Sequence, residues 1–138
     1  MTSDETRAFL LEGTRTGKLA STMPQGSPHV MPIWFLLDGN DLVFTTAADT
    51  VKGGHILSDG RVSVCVDDER PPFAFVHIRG RATGTLDDPA LLDWATRIAQ
   101  RYMGSERARE YGERNAVAGE LLVRLTPERV IAKAGLAD

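Results

Sequence analysis

The sequence predicts a mainly β fold: an antiparallel barrel, closed or nearly so, with helices packed against its outside. Three observations carry this. Turn-forming residues at 24–27 and 38–41 join three apolar segments into a meander. Two further segments, 61–67 and 73–82, alternate apolar and polar residues with the two-residue period of strands. The chain has only 138 residues, the length of a single domain (1–138), and so many strands in so short a span favour a barrel.

The elements follow in order. Thr2 and Glu5 have the spacing of a capping box, and Phe9, Leu10 and Gly13 fit a short helix with a glycine stop. Lys18 to Met23 reads as a strand, and Pro24-Gln25-Gly26-Ser27 as a type I turn. His29 to Leu37 is apolar on both faces, which predicts a strand buried on both sides. Asp38-Gly39-Asn40-Asp41 turns the chain into a third strand, Leu42 to Thr46. Between Asp49 and Asp59 the period becomes helical despite Gly53 and Gly54, which are costly in a helix. Val62, Val64 and Val66 share one face of the next strand. After a Glu69-Arg70-Pro71-Pro72 loop, Phe73, Phe75, His77 and Arg79 share one face of another, with Ala74, Val76 and Ile78 opposite. Asp88 reads as an N-cap with Pro89 at the first helical position, opening a helix that runs to Gly104. Ser105 to Asn115 forms a charged second helix. Glu120 to Leu125 is the last strand, and Thr126-Pro127 opens a tail.

Composition excludes several function classes. With 42% hydrophobic and 25% charged residues the chain is an ordinary globular sequence. No apolar run approaches the ~20 residues of a membrane helix, and the N-terminus lacks the basic start and apolar stretch of a signal peptide. The expectation is a cytoplasmic protein with no membrane partner. A net charge of −3 argues against nucleic acid as a partner. The single cysteine, Cys65, rules out an intramolecular disulfide and a Cys-pair zinc site.

Most standard chemical motifs fail. Gly13 to Lys18 resembles a phosphate loop but is one residue short and is followed by Leu19. His29, His55 and His77 are isolated in sequence, without metal-ligand spacing, so no metal site is expected. No nucleophile or acid–base constellation is visible, so no catalytic side chain is assigned. Any redox chemistry would be borne by a cofactor. One segment remains. Thr45-Thr46-Ala47-Ala48-Asp49-Thr50-Val51-Lys52-Gly53-Gly54 leaves a strand and enters a helix, offering hydroxyls at Thr45 and Thr50, the Lys52 ammonium, and open backbone at Gly53. These are the groups of an anion site at a helix N-terminus; the same string also reads as a plain turn with a solvent-facing lysine.

The strings Gly26 to Phe35, Phe44-Thr45-Thr46, Asp49 to Gly53, Arg61 to Asp67, Arg79 to Ala82 and Leu122 to Val130 together resemble the pyridoxamine 5′-phosphate oxidase-like superfamily. Within it they are most similar to the small deazaflavin-dependent oxidoreductases that use coenzyme F-420. The resemblance implies a six-stranded antiparallel split β-barrel and a homodimer with cofactor clefts between the subunits. Carried onto this chain, it implies that Thr50 and Lys52 hold the cofactor phosphate. It further implies that the strand Met31, Pro32, Ile33 and Trp34 lies along the tricyclic ring, and that Phe73 borders the ring from the partner subunit.

Three functions remain open: an F-420-dependent reductase of an unsaturated small molecule, an FMN-dependent oxidoreductase, or a non-enzymatic flavin or haem-type binder. FMN members of the superfamily clamp a doubly charged monophosphate with arginines, one of them on the strand matching His29 to Leu37, where this chain has no arginine or lysine. One lysine with hydroxyls suits the single charge of a phosphodiester, and favours F-420 over FMN. His77 and Arg79 share the Phe73 face and are candidates for substrate contact.

Overall fold

The computed structural model describes residues 1–138, which form one seven-stranded antiparallel sheet and four helices. In chain order these are α1 (Ser3–Leu11), β1 (Gly17–Thr22), β2 (Pro28–Ile33), β3 (Leu36–Asp38), β4 (Asp41–Ala47), α2 (Val51–Ser58) and β5 (Arg61–Asp68). They continue as β6 (Ala74–Thr85), α3 (Leu91–Met103), α4 (Ala108–Asn115) and β7 (Glu120–Ala134). No helix is long and apolar enough to cross a membrane.

The sheet order is β2-β1-β5-β6-β7-β4-β3. Its two edges, β2 and β3, are therefore neighbours in sequence, separated only by Trp34 and Phe35. A flat sheet of seven strands at ~4.8 Å spacing would hold its edges about 29 Å apart. Three Cα–Cα steps, from Ile33 to Leu36, span at most about 11 Å. The sheet must therefore curl until its edges nearly meet, and the chain bridges them where hydrogen bonds do not. The run His29 to Leu37, expected as one strand of six, is thus two strands on opposite edges of a sheet of seven.

This division also corrects the expected burial of that run. Ile33 and Phe35 enter the core, but Val30 is 60% exposed and Met31 42%. β2 pairs with β1 alone, and Val30 and Met31, which point to opposite faces, both stand exposed. An apolar strand is buried on both sides only when a second layer lies over it, and here that layer is absent from β2.

The core is the curled interior. Leu19, Phe35, Leu42, Phe44, Val64, Val66, Val76, Leu121, Val123 and Leu125 are all buried there. The valines of β5 sit on its inner face, as their alternation predicts, with Val76 and Ile78 beside them on β6. Val43 and Leu122 point the other way, under Leu91 and Trp94 of α3. Leu42 to Phe44 of β4 and Leu121 to Val123 at the start of β7 are therefore buried on both faces, and α3 fixes the wall behind which the cleft described below opens.

Two boundaries differ from expectation. Asp88 does not cap α3; its carboxylate accepts the Ala90 N–H at 2.9 Å, forming a turn one step earlier, and Ala90 is the N-cap. β7 does not stop at Leu125 but runs on to Ala134 beside β6. Pro127, the register partner of Gly80, adjoins an irregularity in the ladder: the register shifts between Arg79 and Gly80, leaving Glu128 without a partner, and proline within sheets is found beside such bulges. Gly80 is required at the same point, since a Cβ would lie 2.2 Å from the Thr126 carbonyl oxygen.

Candidate functional site

The site begins where β4 hands the chain to α2. Thr50 has extended backbone and caps α2: its hydroxyl accepts the Gly53 N–H at 3.1 Å and donates to the Ala47 carbonyl at 2.7 Å. Gly53 is buried against that carbonyl, with room for no Cβ (2.2 Å to Ala47 O). The glycine that looked open to a ligand is therefore an internal packing residue, with its N–H engaged by the cap. Gly54 has open space around it.

Lys52, one residue into α2, is half-buried and lines a cleft of about 340 Å³, at the lower end of the ~300–1,000 Å³ of small-molecule sites. Pro32, Ile33 and Trp34 form one wall of it, and Thr45, Thr46, Ala47 and Thr50 the opposite lip. Ala95 and Ile98 of α3, with Asn115 at the end of α4, close the back. Of the residues assigned from sequence, Pro32, Ile33, Trp34, Thr45, Thr50 and Lys52 come together in this one cleft.

The others lie elsewhere. Met31 is on the exposed face of β2. Phe73 is not part of a strand: it has φ +65 just before β6, and lines a separate depression with Cys65, Asp67 and Leu136. His77 bonds Ser63 across β5 and β6. Arg79 borders another shallow surface beside Ser63 and Glu128. Neither reaches the cleft of its own chain.

Three features had escaped sequence reading. The first is an α3 clamp on the crossover between β2 and β3. Arg101 donates to the carbonyls of Leu10 (2.7 Å), Phe35 (2.8 Å) and Gly13 (2.9 Å), and burial lowers its pKa. Tyr102 donates to the Arg15 carbonyl at 2.7 Å and accepts the Phe35 N–H at 3.2 Å, while its ring stacks on Trp34. The second is Glu120, the first residue of β7, paired with Ala47 and lining the cleft with Lys52. Burial pushes its carboxyl up, opposed by hydrogen bonding from Thr45 and the charge of Lys52, and reinforced by Asp49. The third concerns the histidines. His29 and His55, isolated in sequence, bring their rings to 5.8 Å edge-on, and Ser21 Oγ lies 2.7 Å from His55 Nδ1. Contacts between residues this far apart in sequence leave no local pattern to read.

The pyridoxamine 5′-phosphate oxidase family profile matches residues 2–134. The chain belongs to that family. Among curated proteins, none matches it. Solved structures sharing the family's fold include a conserved hypothetical protein of Mycobacterium tuberculosis, 25% identical, covering 96% of this chain and 84% of that one with a TM-score of 0.82. An F-420 reductase is 24% identical over 90% of this chain and 94% of its own, with a TM-score of 0.66. A heme storage protein from Vibrio cholerae is 16% identical over 99% and 98%, with a TM-score of 0.75. Proteins of this one fold thus carry names from both oxidoreductase and storage classes, and fold does not choose between them. The site of this member must.

Proposed function

We propose that this chain is an F-420-dependent oxidoreductase, and that the cleft between the start of α2 and Trp34 holds the cofactor. The observation that carries the reading is that Thr50 and Lys52 line the same cleft as Pro32, Ile33 and Trp34. A group long enough to bridge them meets a cation and a helix start at one end and an aromatic wall at the other. Lys52 is the only cationic side chain in the lining, so the cleft lacks the paired cations that clamp a doubly charged monophosphate.

The bound deazaflavin would supply hydride transfer to or from an unsaturated small molecule. The residues of the chain do the rest. Lys52 and the α2 N-terminus hold the phosphate, the Ile33-Trp34 backbone orients the ring, and Ala95 and Ile98 exclude water behind it. No side chain is required to exchange a proton, and positioning is the protein's contribution.

A homodimer completes this reading. Phe73 lies outside the cleft of its own chain, so its expected place beside the ring is open to it only from a second subunit. The exposed apolar side chains of β2, Val30 and Met31, are suited to contact with such a partner.

Parallel titrations of purified protein with F-420, FMN and hemin, followed by fluorescence, test the reading. Tight F-420 binding with weak FMN binding supports it. Tight FMN binding without F-420 binding would replace it with the flavin reading, and hemin binding alone with a storage role.

A further inference from the structure

The cleft lining contains two charged side chains, Lys52 and Glu120, of opposite sign. They arrive from different elements: Lys52 on the first turn of α2, Glu120 at the first position of β7, opposite Ala47. Glu120 is placed there firmly. Its N–H donates to the Val117 carbonyl at 3.1 Å, and the preceding Gly119 carbonyl accepts the Ala48 N–H at 2.9 Å. The segment that carries the carboxylate is thereby tied to the loop that carries the anion-binding groups.

We infer that Glu120 sets the charge selectivity of the cleft, offsetting Lys52 so that a doubly charged phosphate gains no advantage over a singly charged one. This rests on the cofactor reading above and deepens it. A lone lysine at a helix start attracts a dianion about twice as strongly as a monoanion, because Coulomb energy scales with charge. By that rule alone the cleft would prefer monophosphates. A carboxylate in the same lining repels the dianion about twice as strongly in turn, and cancels the preference. The carboxylate thus works against the more highly charged ligand, and contacts elsewhere in the cleft decide between the two.

The test uses two small probes in place of the cofactor: phenyl phosphate, a dianion at pH 8, and methyl phenyl phosphate, a monoanion. Each is titrated into wild-type protein and Glu120→Gln, with the backbone amide shifts of residues 50–54 as the readout. Removing the carboxylate is expected to strengthen phenyl phosphate binding about tenfold and methyl phenyl phosphate about threefold, the square-root relation that a halved charge dictates. Glu120→Ala should give the same ordering, which guards against a folding defect particular to one variant. Equal gains for both esters, loss of binding, or amides that neither ester moves in Glu120→Gln would overturn the inference. F-420 and FMN titrations of the wild type run beside these. If neither cofactor binds but the ester ordering holds, the cofactor reading fails and the charge filter stands; if F-420 binds and the ordering is absent, the reverse is true.

Discussion

The indole of Trp34 lies flat against the ring of Tyr102, with centroids 5.0 Å apart and planes 4° from parallel. One ring belongs to the two-residue crossover that joins the edges of the sheet, the other to the last turn of α3. The same tyrosine hydroxyl holds the Phe35 N–H and the Arg15 carbonyl. Trp34 also lines the cleft, so the helix that holds the crossover between the sheet's two edges is the one that orients the wall of the site.

Tyr102→Phe should keep the stack and lose the hydroxyl, leaving the Phe35 N–H and Arg15 carbonyl without that partner. The expected cost is about 1–3 kcal/mol of stability, the penalty for leaving partly buried polar groups unsatisfied. Tyr102→Leu should cost about 0.5–1.5 kcal/mol more by removing the aromatic pair, and should weaken cofactor binding as Trp34 is freed. Thermal unfolding and fluorescence titration of both variants check this.

Arg101→Met retains most of the stem and removes three short hydrogen bonds, to carbonyls of the last turn of α1, the loop after it and the crossover. Hydrogen bonds to charged groups contribute about 1.5–3 kcal/mol each and do not add fully. A loss of about 3–5 kcal/mol is expected by urea unfolding, larger than for either tyrosine variant.

Two carboxylates set the acid limit. Asp68 accepts from the Arg70 backbone and guanidinium and from Arg15, and Asp59 from Arg61; these contacts hold both at about 2, below the ordinary 3.8. A lowered folded pKa means stability present above 3.8 and lost as pH falls toward 2. Asp68→Asn should flatten unfolding free energy across that window. Glu120 has the opposite sign: its pKa is raised in the fold. Its contribution is therefore present below the ordinary carboxylate range and lost as pH rises through its folded value, so Glu120→Gln should gain on the wild type at alkaline pH in the absence of ligand.

The exposed apolar residues of β2 carry the dimer prediction. Val30→Asp with Met31→Asp should shift the species seen by light scattering toward the 15.1 kDa of one chain, while leaving the fold intact by circular dichroism. A wild type that already scatters as one chain at micromolar concentration would remove the partner-supplied Phe73 from the account.

Much of the fold was legible because its signals are local. The α1 capping box has both hydrogen bonds, Thr2 N–H to Glu5 and Glu5 N–H to Thr2, and the β5 valines fall on one buried face. The run at 29–37 misled because an unbroken apolar string says that burial is wanted without saying what provides it. Pro127 was read as an ending because the bulge it adjoins forms against Gly80 on another strand. The cleft was legible on its α2 side, where lysine, threonine and glycine cluster in sequence. Glu120 was not, for it reaches the cleft from 68 residues beyond Lys52, nor were Arg101 and Tyr102, which hold the crossover at Phe35 from more than sixty residues away; none carries a signature of its own.

The account turns on Lys52, and one measurement tests it most directly: the dissociation constant of F-420 for wild type and Lys52→Ala, with melting temperatures of both unliganded proteins. The expected result is a loss of about 1.5–3 kcal/mol in binding, as for a hydrogen bond to a charged group, at an unchanged melting temperature. Retained affinity with a lowered melting temperature would make Lys52 a structural residue and contradict the phosphate site.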